Sequence, residues 1–273
     1  MMILNETYNL NTGAKIPKIG FGTWQIANGE EAYNSAAFAL KNGYRHIDTA
    51  RAYGNESSVG KAIRDSGIDR KEIFVTTKLP AEVKSYEGAL ESFEKTMSEI
   101  GLDYVDLYLI HAPWPWDKKG ADYTAENIKV WKAMEEIYKS GRARAIGVSN
   151  FNVADLKAIL GICEIKPAAN QIRFFIGHTQ DDITKFCQDN DILVEAYSPM
   201  ATGEIINNKD VVAMADKYGK TPAQICIRYT LQRGTLPLPK SIHEDYILQN
   251  ADVDFEINDS DMLYLDGLQN VVS

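Results

Sequence analysis

The sequence contains little cysteine, and its cysteines form no recognisable site. Of the 273 residues only three are cysteines, Cys163, Cys187 and Cys226. Their number is odd, and they form neither a Cys-x-x-Cys pair nor a cysteine–histidine spacing typical of zinc sites. These features argue against a disulfide-stapled secreted domain and predict buried free thiols in a reducing cytosol.

Long apolar runs and basic targeting segments are also lacking. No stretch reaches the roughly 18 consecutive apolar residues that a membrane-spanning helix needs. The first residues, MMILNETYNL, contain no Lys or Arg and therefore lack the basic start of a signal peptide. We expect a soluble, cytoplasmic protein with no membrane partner.

Positive charge is scarce relative to negative charge. The chain has 29 Lys and Arg residues against 38 Asp and Glu residues, which gives a net charge of −9. This balance argues against nucleic acid or an anionic membrane as a partner, although a few local cations can still hold one small anionic ligand. The apolar fraction of 45% and the charged fraction of 25% are ordinary for a globular chain.

What the sequence does contain is eight short apolar runs that alternate with amphipathic helical stretches. The runs lie at 19–24, 44–50, 73–79, 104–111, 145–150, 168–172, 192–198 and 235–240, and the predicted helices lie near 29–42, 56–66, 86–100, 125–140, 153–160, 181–189, 210–218 and 222–232. Strands that are apolar on both faces and separated by helices form parallel sheets. Eight of them favour a closed (β/α)₈ TIM barrel, and the GxGxxG turn of an open dinucleotide-binding sheet is missing.

Residues 7–18 predict a separate β-hairpin, because two short runs flank Asn11-Thr12-Gly13. We expect this N-terminal hairpin to plug the bottom of the barrel. No Gly/Ser/Pro-rich linker divides the chain, so residues 1–273 are predicted to form a single barrel domain.

The predicted strands end in polar side chains, and in such barrels the strand ends build the active site. Asp48 ends the second run and is followed by Tyr53, Lys78 ends the third, and His111 ends the fourth. Each alone has an ordinary explanation, such as a helix cap, a lysine that reaches solvent or a core histidine. Their convergence at one mouth predicts an acid–base site.

The combination has a chemical logic. A tyrosine hydroxyl has a pKa near ~10, and an adjacent ammonium stabilises the phenolate and lowers that pKa. Lys78 is the predicted source of the charge, and Asp48 is the counter-charge that a buried lysine needs. His111 then orients a carbonyl oxygen or shuttles a proton, depending on its tautomer.

Motifs along nearly the whole chain resemble the aldo-keto reductase family in the same order: GFGTW at 20–24, GYRHIDTARAYGNESSVGKAI at 43–63, TTKL at 76–79, IGVSNF at 146–151, NQI at 170–172, EAYSP at 195–199 and PKS at 239–241. The second motif is long and highly specific. The resemblance implies an oxidoreductase that reduces a small-molecule aldehyde or ketone to an alcohol by hydride transfer. It implies NADPH/NADP+ as the cofactor, with NADH as a further option, and no metal. It also implies a monomer in the cytoplasm.

The resemblance also implies roles for individual residues. The catalytic tetrad falls on Asp48, Tyr53, Lys78 and His111, with Tyr53 as proton donor. Ser149, Asn150 and Gln171 match the groups that hold the nicotinamide carboxamide, Tyr197 matches the aromatic stacked on its ring, and Lys240 and Ser241 match the contacts to the 2′-phosphate. The full set of implied cofactor contacts is Thr23, Trp24, Asp48, Ser149, Asn150, Gln171, Tyr197, Ser198, Met200, Thr202, Lys240, Ser241, Tyr246 and Asn250, and the implied substrate pocket is Trp24, Tyr53, His111 and Trp114.

The sequence departs from the family pattern at several positions. Tyr246 stands where an arginine usually grips the 2′-phosphate, and tyrosine makes no charge-assisted bidentate contact. We therefore predict that NADPH binds with a reduced preference over NADH. Ala112 stands where many relatives have a tryptophan, so Trp114 and Trp116 are candidates to line the pocket instead.

Two alternatives remain open at the level of sequence. A metal-dependent barrel hydrolase would use His46, Asp48 and His111 as ligands, but it leaves Tyr53 and Lys78 without a role. A non-catalytic cofactor-binding regulatory protein is the other alternative, and the intact tetrad speaks against it.

Overall fold

A computed structural model describes residues 2–272 of the chain. These residues form a two-stranded antiparallel hairpin followed by an eight-stranded parallel sheet. The strands are β1 (Thr7–Asn9), β2 (Lys15–Pro17), β3 (Phe21–Gly22), β4 (His46–Asp48), β5 (Phe74–Leu79), β6 (Leu107–Ile110), β7 (Ile146–Ser149), β8 (Ala169–Arg173), β9 (Leu193–Tyr197) and β10 (Leu236–Leu238). The helices are α1 (Glu30–Lys41), α2 (Glu56–Asp65), α3 (Tyr86–Ile100), α4 (Thr124–Lys139), α5 (Val153–Leu160), α6 (Asp181–Asp189), α7 (Lys209–Tyr218), α8 (Pro222–Gln232), α9 (Glu244–Ala251) and α10 (Asp259–Asp266).

The parallel sheet rolls up into a barrel in which each strand pairs with the next one along the chain. The backbone N–H groups of Gly20 and Gly22 donate hydrogen bonds of 3.1 and 3.0 Å to Pro237 O and Pro239 O, which join the first barrel strand to the last. A Cβ at Gly20 would lie 2.5 Å from Leu238 Cδ2 and 2.6 Å from His46 Nδ1, so a larger residue here would require these side chains to shift. The predicted (β/α)₈ barrel with an N-terminal hairpin is thus confirmed.

Local sequence signals set the helix ends. Ser85 accepts a hydrogen bond from Gly88 N at the start of α3, and Gly101 ends that helix in the left-handed region at φ 66°. Thr221 forms a capping box at the start of α8, where Pro222 occupies the first turn. One face of α3 is buried against the barrel, at Ala89, Ser92, Phe93, Thr96, Met97 and Ile100.

The hairpin packs where the barrel strands begin. Leu10 and Ile16 are buried in a cluster with Phe74, Leu107 and Leu109, which lie at or near the starts of β5 and β6. The hairpin therefore covers the end of the barrel opposite the strand ends that carry the polar side chains, as the sequence predicts.

The sequence prediction omits two helices near the C-terminus, α9 and α10. In α10 only Asp261 and Leu265 are buried, so the helix has almost no apolar stripe for a periodicity search to detect. Among residues 2–272 no helix is both long enough and apolar enough to cross a membrane.

Candidate active site

A large cavity of about 990 Å³ opens at the carboxyl ends of the barrel strands. This volume is at the upper end of the range that small-molecule and cofactor sites usually occupy. Most of the residues predicted from the sequence line it: Trp24, Asp48, Tyr53, His111, Ser149, Asn150, Gln171, Tyr197, Ser198, Met200, Thr202, Lys240, Ser241, Tyr246 and Asn250.

A buried ion pair lies at the floor of the cavity. Lys78 Nζ donates hydrogen bonds of 2.8 Å to both carboxylate oxygens of Asp48 and one of 2.9 Å to Thr49 O. Burial, the largest single effect, lowers the pKa of Lys78, but the interactions with Asp48 and Tyr53 together outweigh it and the pKa is raised. Lys78 therefore keeps its positive charge although its side chain has no solvent exposure.

Tyr53 lies directly above this charge. It ends a short 3₁₀ turn (Arg51–Tyr53) that follows β4, and Lys78 Nζ lies 4.9 Å from the centroid of its ring. Burial raises the pKa of Tyr53 to about 12, although the charge of Lys78 acts in the opposite direction. The sequence predicts a lowered pKa for Tyr53, and that prediction is wrong for this structure. Burial disfavours the phenolate more than the positive charge of Lys78 favours it.

His111 completes the cavity floor at the end of β6. Its ring meets that of Tyr53 edge to face, with centroids 5.6 Å apart. Burial, together with the charge of Lys78, lowers the pKa of His111 to about 3. The imidazole is therefore neutral at physiological pH, which favours hydrogen bonding over a proton shuttle that passes through imidazolium.

The predicted amide and hydroxyl set forms one connected network. Ser149 Oγ donates to Gln171 O at 2.8 Å, and Asn150 Nδ2 donates to Ser149 Oγ and to His111 O, each at 3.0 Å. Tyr197 OH donates to Asn150 Oδ1 at 2.8 Å. Asn150 adopts φ 61°, a left-handed conformation that asparagine tolerates better than most residues. These bonds hold the side chains in fixed positions along the cavity wall.

The part of the cavity along β10 and α9 carries little charge. Within residues 2–272, Lys240 is the only Lys or Arg that lines the cavity. Tyr246 is 55% exposed and packs edge to face on His243 at 5.4 Å. The structure thus places a phenol ring, and no guanidinium, beside Lys240 and Ser241.

Three predicted residues do not line the cavity. Thr23 is buried beneath it, where its Oγ1 donates to Asp48 O at 2.9 Å, and Lys78 is buried beneath Tyr53. Trp114 packs against Trp116, and Trp116 forms the cavity wall in its place, with its ring centroid 5.4 Å from that of His111. The short 3₁₀ turn that begins at Trp116 brings this side chain to the cavity, a bend that residue spacing alone does not reveal.

Sequence reasoning also missed a buried carboxyl beside the tetrad. Glu195 on β9 is 0% exposed, and its Oε2 accepts a hydrogen bond of 2.8 Å from Gln171 Nε2. The strand alternation offered a signal, since Glu195 and the cavity-lining Tyr197 are two residues apart and point to the same face.

The geometry does not support a metal centre. Within residues 2–272, no three His, Cys, Asp or Glu side chains are grouped so that they could hold a metal ion. His46 Nε2 is instead 2.9 Å from Thr76 Oγ1. The hydrolase alternative therefore lacks the ligand set on which it depends.

Comparisons with known proteins identify the family. A sequence model of the Aldo/keto reductase family matches residues 18–270. A glyoxal reductase of Bacillus subtilis (strain 168) is 43% identical over 266 residues, which cover 97% of this chain and 93% of that protein. An aldehyde reductase of Saccharomyces cerevisiae is 40% identical over 293 residues, with 98% and 92% covered.

Solved structures give the same result. The crystal structure of an aldo/keto reductase from Brucella melitensis has a TM-score of 0.89 and 40% identity, and the match covers 96% of this chain and 98% of that one. A Bombyx mori aldo-keto reductase in complex with NADP has a TM-score of 0.88 and 32% identity, with 98% and 94% covered.

Proposed function

This chain belongs to the aldo/keto reductase family, and on that premise we propose that it reduces aldehydes or ketones to alcohols with NADPH. The observation that carries the proposal is the arrangement of a protonated phenol, Tyr53, above a buried Lys78–Asp48 pair and beside a neutral His111. Such a phenol is placed to act as a general acid.

The cavity fits a nicotinamide dinucleotide. Its volume of about 990 Å³ is large enough for a long ligand, and its polar groups are spread along it. Ser149, Asn150 and Gln171 bring hydroxyl and amide groups, the kinds of group that bind a carboxamide, to one stretch of the cavity wall, and Tyr197 offers a ring face. Lys240 with Ser241 would hold the phosphate on the adenosine ribose.

In the proposed reaction each residue of the tetrad has a separate task. When bound, the reduced nicotinamide supplies a hydride to the carbonyl carbon of the substrate. The phenol of Tyr53 donates the proton that the carbonyl oxygen takes up, and the resulting phenolate faces Lys78 Nζ. Asp48 holds that ammonium in place, and Tyr53 then regains a proton from solvent. His111 donates a hydrogen bond that orients the carbonyl oxygen.

The reaction is tested with a panel of small aldehydes, dicarbonyl compounds and ketones, followed through the absorbance of reduced cofactor. Because two relatives are named glyoxal reductase and aldehyde reductase, we expect the highest rates with small aldehydes and dicarbonyls. A chelator is expected to leave the rate unchanged. The proposal fails if no member of the panel consumes cofactor, or if turnover is lost to the chelator.

Cofactor preference follows from Tyr246. Because Lys240 is the only Lys or Arg lining the cavity among residues 2–272, we expect comparable kcat/KM with NADPH and NADH. Tyr246→Arg is expected to raise the preference for NADPH about tenfold, since a guanidinium adds a charge-assisted contact to the 2′-phosphate. Steady-state kinetics and dissociation constants with both cofactors provide the measurements.

The matched control is Tyr246→Phe, which keeps the ring and adds no charge, and it should leave the ratio of the two constants unchanged. A wild-type preference for NADPH of several orders of magnitude would contradict this account of the phosphate site.

Substrate affinity depends on Trp116, which is 44% exposed at the mouth and packs against His111. Trp116→Ala is expected to raise the KM for apolar aldehydes about tenfold, because the substrate loses an aromatic wall. The dissociation constant of NADPH should stay the same. Trp114→Phe, which keeps a ring against Trp116, is the control, and an equal effect of both variants would count against Trp116 as the wall.

We also infer that residues 1–273 act as one domain and as a monomer in the cytoplasm. The single sheet from β3 to β10 supports one domain, and three free cysteines are consistent with a reducing compartment.

A further inference from the structure

Glu195 is a buried carboxyl that the catalytic scheme does not use. It lies inside the barrel on β9, with no solvent exposure. The nearby ammonium, Lys78, is already bound by both oxygens of Asp48. Within residues 2–272, Glu195 Oε1 has no hydrogen-bond partner, and Oε2 accepts only from Gln171 Nε2, at 2.8 Å. Burial of a carboxyl group that is not fully hydrogen-bonded is energetically unfavourable. The single contact with Gln171 therefore indicates what Glu195 does in the barrel.

That contact determines how the Gln171 amide is oriented. A side-chain amide nitrogen has two hydrogens, and both are used here: one is donated to Asp48 Oδ2 at 2.8 Å and the other to Glu195 Oε2 at 2.8 Å. Gln171 lines the cavity. Because its nitrogen is held by Asp48 and Glu195, its carbonyl oxygen is the amide atom available to a ligand in the cavity. A reversed amide would place that oxygen against Asp48 Oδ2, an ionised carboxylate oxygen that only accepts.

We propose that Glu195 is a positioning residue that fixes the Gln171 amide, so that Gln171 Oε1 accepts a hydrogen bond from the carboxamide NH₂ of the bound nicotinamide. The inference rests on the proposed function and adds a residue that acts through Gln171. Asp48 alone leaves one amide hydrogen without an acceptor. Glu195 supplies that acceptor and orients the amide before the cofactor binds.

The electrostatics of the barrel interior are compatible with this role. Burial and the neighbouring negative charge of Asp48 raise the pKa of Glu195 to about 8, against the opposing effects of Gln171 and Lys78. A neutral carboxylic acid still accepts a hydrogen bond through its carbonyl oxygen. Glu195 therefore orients Gln171 without adding a second negative charge that would compete with Asp48 for Lys78.

Two substitutions distinguish the effect of losing the hydrogen-bond acceptor of Glu195 from the effect of changing the size of its side chain. Glu195→Gln keeps the size and an acceptor oxygen, and we expect its dissociation constant for NADPH to stay within about twofold of wild type. Glu195→Met keeps the length without a strong acceptor. We expect it to weaken NADPH binding about tenfold, which is the scale of one lost hydrogen bond. Binding is measured by calorimetry, and Glu195→Leu is the second variant if the Met variant does not fold.

A cofactor analogue distinguishes a loss of the Gln171 amide orientation from a general disruption of the cofactor site. In the acetylpyridine analogue of NADPH, a methyl ketone replaces the carboxamide, so there is no NH₂ for Gln171 to bind. We expect wild type and Glu195→Met to bind this analogue equally. An equal loss with NADPH and with the analogue, or no loss of NADPH binding in Glu195→Met, would overturn the inference. Failure of the proposed function is a separate result, in which the wild-type protein itself does not bind NADPH.

Discussion

Replacement of Tyr53 with phenylalanine is expected to lower kcat by about 10²- to 10⁴-fold, the range that a positioned general acid contributes. The hydroxyl is the only part of the residue that is removed. The ring keeps its place, with its centroid 4.9 Å from Lys78 Nζ and 5.6 Å from the His111 ring. The dissociation constant of NADPH should therefore change little, and steady-state kinetics together with calorimetry provide both measurements.

A matched control is available on the surface of the protein. Tyr264 on α10 is half exposed and is absent from the cavity wall. Tyr264→Phe removes a hydroxyl by the same change and should leave kcat unchanged. If Tyr53→Phe retains full activity, Tyr53 is not the proton donor.

Replacement of Lys78 with methionine is expected to affect both turnover and stability. Asp48 would lose two hydrogen bonds of 2.8 Å and become an unpaired buried carboxylate, which costs about 3 to 5 kcal/mol of unfolding free energy. Turnover should fall by about 10²-fold or more, because the phenolate of Tyr53 loses the cation that stabilises it. Urea unfolding and kcat provide the two measurements.

The double variant Asp48→Asn/Lys78→Met separates these two effects. It removes the unpaired charge together with its partner, so we expect stability to recover by most of the amount lost in Lys78→Met, while turnover stays low. Recovery of turnover in the double variant would show that Lys78 acts only through the fold.

The sequence was most informative where one strong physical constraint acts. Alternating apolar runs and amphipathic stretches predicted the barrel, because a parallel strand must be covered on both faces. The eight predicted helices agree closely with α1 to α8, since caps such as Ser85 and Thr221 are local in sequence. Helix α10 was missed because only Asp261 and Leu265 are buried in it, so no apolar stripe marks it in the sequence.

At the site, the sequence predicted which residues come together. It did not predict how burial and the charge of Lys78 combine to set the pKa of Tyr53. It placed Lys78 beside Tyr53 and indicated that the ammonium lowers the pKa of the phenol. Burial is the larger effect and has the opposite sign, and its size depends on the packing of the whole cavity. The sequence did not show that Trp116 rather than Trp114 lines the cavity, because this depends on a bend in the loop. Glu195 was missed because it lies within an apolar run.

The most direct test of the proposed reaction is an isotope transfer experiment with the wild-type protein. NADPH that carries deuterium at the transferred position of the nicotinamide ring is mixed with a small aldehyde from the panel, and the product is analysed by mass spectrometry. We predict an alcohol with one deuterium on the former carbonyl carbon and a hydroxyl hydrogen from solvent. An alcohol without deuterium on that carbon, or no alcohol from any aldehyde or ketone in the panel, would contradict the account.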